Sequence, residues 1–130
     1  MKSFKLGVIE TEFAKMIWDH APVRSGELVK LAAEAFSWKK PTTYTVLRKL
    51  CEKGLFRNED SIVTPIISLE EFYAIQGEEI IEEGYGGSLP VFIAAFAARK
   101  PLSEKEINEI QSIIHNAKVS NRVPGDDTNI

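Results

Sequence analysis

The sequence predicts a mainly α-helical protein with a small β-hairpin, and three observations carry the prediction. Apolar residues recur at three- and four-residue spacing along most of the chain, the period of a helix with one buried face. One polar stretch, "NEDS" at residues 58–61, separates two short β-prone pieces. Two serine–glutamate pairs, Ser68/Glu71 and Ser103/Glu106, have the S-x-x-E spacing that caps helix N-termini. At 130 residues the chain suits one domain, or one small domain with an appendage. That length buries a core without disulfides or metals.

The first helical pattern runs from Thr11 to His20, with Val8, Ile9, Phe13, Met16 and Ile17 as its apolar face and Trp18 close by. Pro22 ends it, because proline disfavours helix in the residue before it. Ser25 is a suitable N-cap for a second helix, which buries Leu28, Leu31, Ala32 and Ala35 and ends near Phe36. A third helix follows Trp38. Pro41 fits its first turn, where a missing N–H costs nothing. Val46, Leu47 and Leu50 point inward, with Thr43 on the border of that face. Thr42, Tyr44, Thr45, Arg48 and Lys49 are left outward. Gly54 has the chemistry of a helix C-terminal cap. Leu55–Arg57 and Ile62–Thr64 then form the hairpin, closed by Pro65. The Ser68 cap opens a helix carrying Leu69, Phe72, Tyr73, Ile75, Ile80 and Ile81. Gly84, Gly86 and Gly87 break it. A short apolar helix from Leu89 to Ala98 follows. The last helix has Ile107, Ile110, Ile113, Ile114 and Ala117 as its stripe.

Charge is unevenly placed. Residues 1–65 hold eleven Lys/Arg against eight Asp/Glu, and residues 66–130 hold five against eleven, within a net charge of −3. Segment 38–57 carries six basic residues and one acid, Glu52. A phosphate backbone responds to such a local patch, because salt screens charges beyond about 10 Å. Cys51 is the single cysteine, so no intramolecular disulfide forms, which fits a cytoplasmic location. The N-terminal "MKSFKLGVIETEF" lacks a signal-peptide core, and no run approaches the roughly 20 apolar residues of a membrane span. His20 and His115 are too few and too far apart to suggest a metal site, so no metal or cofactor is expected. No phosphate loop, nucleophile elbow or His–carboxylate pair marks an enzyme. Glu78, Glu79, Glu82 and Glu83 read as a solvated helix face.

Three helices followed by a hairpin outline a winged helix–turn–helix. A recognition helix shows small polar and basic side chains to the major groove while its other face packs on its own domain. The third helix has that composition: Thr42 and Thr45 three apart, Lys49 four further on, and Lys39 and Lys40 at its start. A solvated face of an ordinary helix would carry the same residues, so the pattern alone leaves both readings open.

The stretches "ETEFAKMIW" (Glu10–Trp18), "TTYTVLRKLCEKGL" (Thr42–Leu55) behind Trp38, "TPIISLEEF" (Thr64–Phe72) and "PLSEKEINEI" (Pro101–Ile110) add a further layer. In these segments, in this order, the chain resembles the penicillinase-repressor family, which includes the methicillin-resistance repressor and a copper-responsive branch. The resemblance runs from about Leu6 to Lys118. It implies a homodimeric transcriptional repressor on a palindromic double-stranded DNA operator, controlling antibiotic-resistance-type or related genes. It places Lys40, Thr42, Thr43, Thr45 and Lys49 on the operator-contacting helix. Lys39, Tyr44 and Arg48 complete the candidate DNA-binding set. It also implies a membrane-bound sensor protease that cuts the C-terminal region.

The expected organisation is a winged-helix DNA-binding domain over residues 1–66, a helical dimerisation region over 67–118 and a disordered tail over 119–130. Phe72, Ile75, Phe92, Phe96, Ile107, Ile110 and Ile114 are the candidate dimer contacts. Two features depart from the family pattern. The wing is short and acidic, with Glu59 and Asp60 at its tip where the family carries a Gly-Arg pair. The family's Asn-Phe cleavage site is replaced by Ala95-Phe96. The copper branch's cysteine-rich motif has no counterpart beyond Cys51, which reads as a small core hydrophobe. The acidic wing and the low isoelectric point keep a second class in view: a protein-interaction winged helix with weak or lost DNA binding.

Overall fold

The computed structural model describes residues 4–119. They form six α-helices and a three-stranded antiparallel sheet, in the order α1 (Val8–His20), β1 (Val23–Arg24), α2 (Ser25–Phe36), α3 (Lys40–Glu52), β2 (Phe56–Glu59), β3 (Ile62–Pro65), α4 (Leu69–Tyr85), α5 (Leu89–Arg99) and α6 (Glu104–His115). The chain divides into two compact units, Met1–Gln76 and Gly77–Ile130. Among the described residues, no helix is long and apolar enough to cross a membrane.

α1 begins one turn earlier than its apolar period suggests. The Gly7 N–H donates to Glu10 Oε1 at 3.1 Å, so a carboxylate satisfies a backbone donor that the helix leaves unpaired. Phe13, Ala14 and Ile17 are its buried residues. Val8 and Ile9, expected on the same face, stand 79% and 50% exposed in this extra turn. α2 buries Leu28 and Ala32. Ser25 is its first residue and not its cap. Its N–H donates to the Ser61 carbonyl at 2.9 Å, which ties the start of α2 to the hairpin turn. Ser37 ends α2 in the left-handed region (φ 58°), and the chain enters α3 three residues later.

The sheet order is β1-β3-β2, so β3 is the central strand. β1, absent from the sequence reading, pairs Val23 with Val63 and Arg24 with Ile62. In the hairpin, Phe56 faces Pro65 and Glu59 faces Ile62. Asp60 and Ser61 close it with φ of 52° and 62°. Two successive positive φ values characterise the tight type I′ turn, whose twist matches that of paired strands.

The core of the first unit lies where α1, α2 and α3 meet the sheet. Phe13, Ile17, Leu28, Leu50, Leu55, Val63 and Phe72 are fully buried there. Burying each such large side chain contributes about 1.5–3 kcal/mol. Trp38 packs its ring 5.2 Å from Phe13 and 4.9 Å from Phe36, holding the α2–α3 link against α1. Trp18 stacks 4.8 Å from Phe56 and 5.1 Å from Phe72, and its indole N–H donates to the Ile67 carbonyl at 2.9 Å. These contacts bring the start of α4 into the first unit. The first compact unit thus runs to Gln76, ten residues past the expected boundary at 66.

Both serine caps form. Ser68 Oγ accepts from the Glu71 N–H, and Ser103 and Glu106 exchange both bonds of a capping box. Ser88 caps α5 in the same way through the Val91 N–H. Gly86 and Gly87, at φ 58° and 77°, turn the chain between α4 and α5, a conformation open to glycine at no steric cost. Within the second unit Phe92 packs against Tyr85 and Phe96 at 5.2 and 6.1 Å. No residue of α5 or α6 is buried. Of the expected 119–130 tail, only Val119 falls within the described residues, and it is exposed.

Candidate nucleic-acid interface

α3 is positioned by its inner face. Thr43, Leu47 and Leu50 are buried against the domain, which fixes the rotation of the helix about its axis. Lys39, Lys40, Thr42, Thr45, Arg48 and Lys49 are then exposed together, and Tyr44 is half-buried at the edge. The structure thus brings seven of the eight candidate residues to one surface. The eighth, Thr43, is a correction: its side chain is fully buried and reaches no groove. Its Oγ1 has no hydrogen-bond partner. The heptad-like spacing of Thr43, Leu47 and Leu50 places all three on one side of the helix, and that outweighs the polarity of one hydroxyl.

Tyr44 links α3 to its neighbours. Its hydroxyl lies 3.5 Å from Ser25 Oγ on α2, and Lys40 Nζ sits 6.0 Å from its ring centroid. The second distance is at the outer limit of a cation–π contact. Thr45 Oγ1 donates to the Pro41 carbonyl at 2.9 Å, one turn back along the helix. Tyr44, Leu47, Arg48 and Cys51 of α3 form, with Asn58 of β2, a groove of about 270 Å³ between α3 and the hairpin. Burial pushes the Cys51 thiol pKa up, and Glu52 adds to the shift, so the residue stays a neutral thiol at neutral pH.

Three polar contributors were missed from the sequence. Arg24, just before α2, and Lys30, in its second turn, line an open recess of about 460 Å³ with Tyr44 and Ser61, and Glu27 sets one negative charge between them. They lie outside the basic segment 38–57, so only the fold brings them beside α3. Asn58 is the third. It shares the strand face of buried Phe56 but lies nearer the hairpin tip, where it is exposed and borders the groove beside α3. In the wing itself, Arg57 Nε lies 3.4 Å from Glu59 Oε1, both side chains well exposed. Arg57 is therefore partly neutralised by its own strand, and Asp60 stands at the turn beyond it.

The candidate dimer contacts divide between the units. Phe72 is a correction: it is fully buried in the core of the first unit, under Trp18, and presents nothing to a second molecule. Ile75 is half-buried at the end of the same unit. Phe92 and Ile110 are half-buried, while Phe96, Ile107 and Ile114 are 44%, 40% and 61% exposed. Ala95 and Phe96 sit inside α5, where a peptide bond is protected until the helix opens locally.

A family model described as Penicillinase repressor matches residues 6–116. The chain belongs to the penicillinase repressor family. The family consists of DNA-binding transcriptional repressors and not of enzymes, and the first unit has the helix, helix, helix, hairpin order of a winged helix. The chain is 26% identical to the Penicillinase repressor of Bacillus licheniformis, over 84% of this chain and 88% of that one. It is 24% identical to the methicillin resistance regulatory protein MecI of Staphylococcus aureus, over 88% and 96%. A solved structure of monomeric Bacillus licheniformis BlaI in complex with the blaP half-operator is 28% identical. It covers 55% of this chain and 93% of that one, at a TM-score of 0.46.

Proposed function

We propose that this member of the penicillinase repressor family is a cytoplasmic homodimeric repressor that binds a palindromic operator and silences resistance-type genes. The observation that carries the proposal is the division of α3. Its inner face is locked into the core, and its outer face gathers Thr42, Thr45, Arg48 and Lys49 with Lys39 and Lys40 at its start. Such a face suits major-groove reading: threonine and basic side chains meet base edges, and lysines at the helix start meet phosphates. Arg24 and Lys30 add two positive charges against the one negative charge of Glu27 in the recess beside Tyr44, which supports a second phosphate position there.

The dimer is proposed from the second unit. Exposed Phe96, Ile107 and Ile114 on helices with no buried residue call for a covering surface. A second copy related by a twofold supplies it and matches a palindromic site. A membrane-bound sensor protease is the proposed inducer-linked partner. Its target in α5 carries Ala95-Phe96, so cleavage here requires a protease that accepts alanine.

The acidic wing favours a second reading, a winged helix that binds protein and not DNA. Gel shift on random-sequence duplex at 50 and 200 mM salt separates the two. A repressor binds at low salt and loses affinity steeply as salt rises, because bound lysine and arginine displace counterions. Absence of duplex binding at 50 mM salt would sink the repressor reading.

A further inference from the structure

The two exposed threonines of α3 are chemically inequivalent in this structure. A hydroxyl has one proton to donate. Thr45 has committed that proton to the Pro41 carbonyl at 2.9 Å, turning its oxygen back onto the helix. Without breaking that bond the exposed side chain can still offer an acceptor lone pair and its γ-methyl. The hydroxyl of Thr42, three residues earlier on the same exposed face, makes no hydrogen bond among the described residues, so it is free to donate and accept. Breaking the Thr45 bond to address a base would trade one neutral hydrogen bond for another and leave no net gain. The major groove offers a partner that needs no such exchange: the 5-methyl group of thymine.

We propose that Thr45 reads thymine through a methyl–methyl contact, while Thr42 reads its base or phosphate through its hydroxyl. The proposal rests on the reading of α3 as the operator-contacting helix. It assigns one thymine per half-site to Thr45, recognised by the methyl group that distinguishes thymine from uracil.

The experiment begins with duplexes selected from a random-sequence library by the full-length protein. Each thymine of the enriched site is then replaced singly by deoxyuridine. One position per half-site is expected to lower parental affinity about fourfold, the effect of losing one buried methyl. Thr45→Val keeps the methyl and the β-branched shape, and is expected to retain both the affinity and the uracil penalty. Thr45→Ser keeps the hydroxyl alone. It is expected to bind the thymine duplex about fourfold more weakly and to show no further loss on uracil. Thr42→Val is expected to weaken binding while preserving the uracil penalty. Binding lost in Thr45→Val but kept in Thr45→Ser would overturn the proposal, as would a uracil penalty that persists in Thr45→Ser. An enriched site with no uracil-sensitive thymine overturns the methyl contact alone. Failure to enrich any sequence overturns the operator reading, and the methyl contact with it. Unchanged thermal unfolding of the variants, whose altered side chains are exposed, confirms that binding and not folding is being read.

Discussion

Phe13, Leu28, Leu50 and Phe72 are enclosed within the first unit, whereas Phe96, Ile107 and Ile114 of the second stand 44%, 40% and 61% exposed. The two regions carry similar apolar side chains and use them differently. In the winged helix, three helices and a sheet close around a shared centre, so each buried side chain is supported from several directions. In the second unit, α5 and α6 carry apolar stripes and sound caps but no enclosed residue. Capping fixes where a helix starts and contributes about 1 kcal/mol per cap. It does not remove apolar surface from water, which is the larger driving force. The first unit is therefore held by its own contacts, and the second is the part that the proposed dimer would cover.

A pair of substitutions tests that contrast directly and has the largest expected effect. Phe72→Ala opens a cavity under Trp18 and is expected to destabilise the fold by about 3–5 kcal/mol at every protein concentration, as measured by urea unfolding. Ile114→Asp is expected to leave unfolding of the dilute protein unchanged but to weaken the dimer about tenfold or more, because it places an unpaired carboxylate in the proposed contact. A light-scattering dilution series reads the second effect. A concentration-independent loss of stability in Ile114→Asp would mean that Ile114 belongs to an intramolecular core, and the contrast would fail.

Much of this was legible in the sequence because it depended on local spacing. Ser68, Ser103 and their glutamates, the break at Gly86-Gly87 and the inner face of α3 each follow from chemistry within one or two turns. What escaped depended on contacts distant along the chain. β1 is two residues long and exists only because Val23 and Arg24 find β3. Ser25 reads as a cap by composition, but the Ser61 carbonyl takes its N–H and makes it the first helical residue. Phe72 carries the same apolar character as the dimer stripe, and only its rings-to-Trp18 distance assigns it to the core. On α3 the helical period already put Thr43 at the border of the inward face; the family resemblance added it to the contact set, and its burial takes it out.

Thr43 offers a smaller and more pointed test of the first unit. Its hydroxyl is buried without a partner, an arrangement that destabilises the fold by its lost hydration. Thr43→Val preserves the shape and removes the polar atom. Stability is expected to rise by about 1 kcal/mol, with DNA affinity unchanged, because the side chain does not reach the binding surface. A drop in stability would show that a water molecule serves the hydroxyl. A loss of binding at unchanged stability would return Thr43 to the contact set.

The wing carries the smallest expected effect, and its sign is the informative part. Glu59 holds Arg57 at 3.4 Å, and Asp60 adds a second negative charge at the turn. Exposed pairs of this kind are worth little to stability, so the substitution leaves the fold intact. Replacing both acids by serine removes two repulsions toward a neighbouring phosphate and releases Arg57 to meet it. Affinity for duplex is expected to rise by roughly threefold at low salt, within the scale of one exposed ion pair. The slope of log affinity against log salt is expected to steepen by about 0.9, the value for one additional phosphate neutralised. Adding Arg57→Gln to the double variant should return the slope to its parental value, which identifies the freed guanidinium as the source. An unchanged slope would place the wing away from the backbone. A clear loss of affinity would give the carboxylates a positive role, as acceptors from cytosine amino groups or as organisers of the turn, and would reverse the interpretation of the wing.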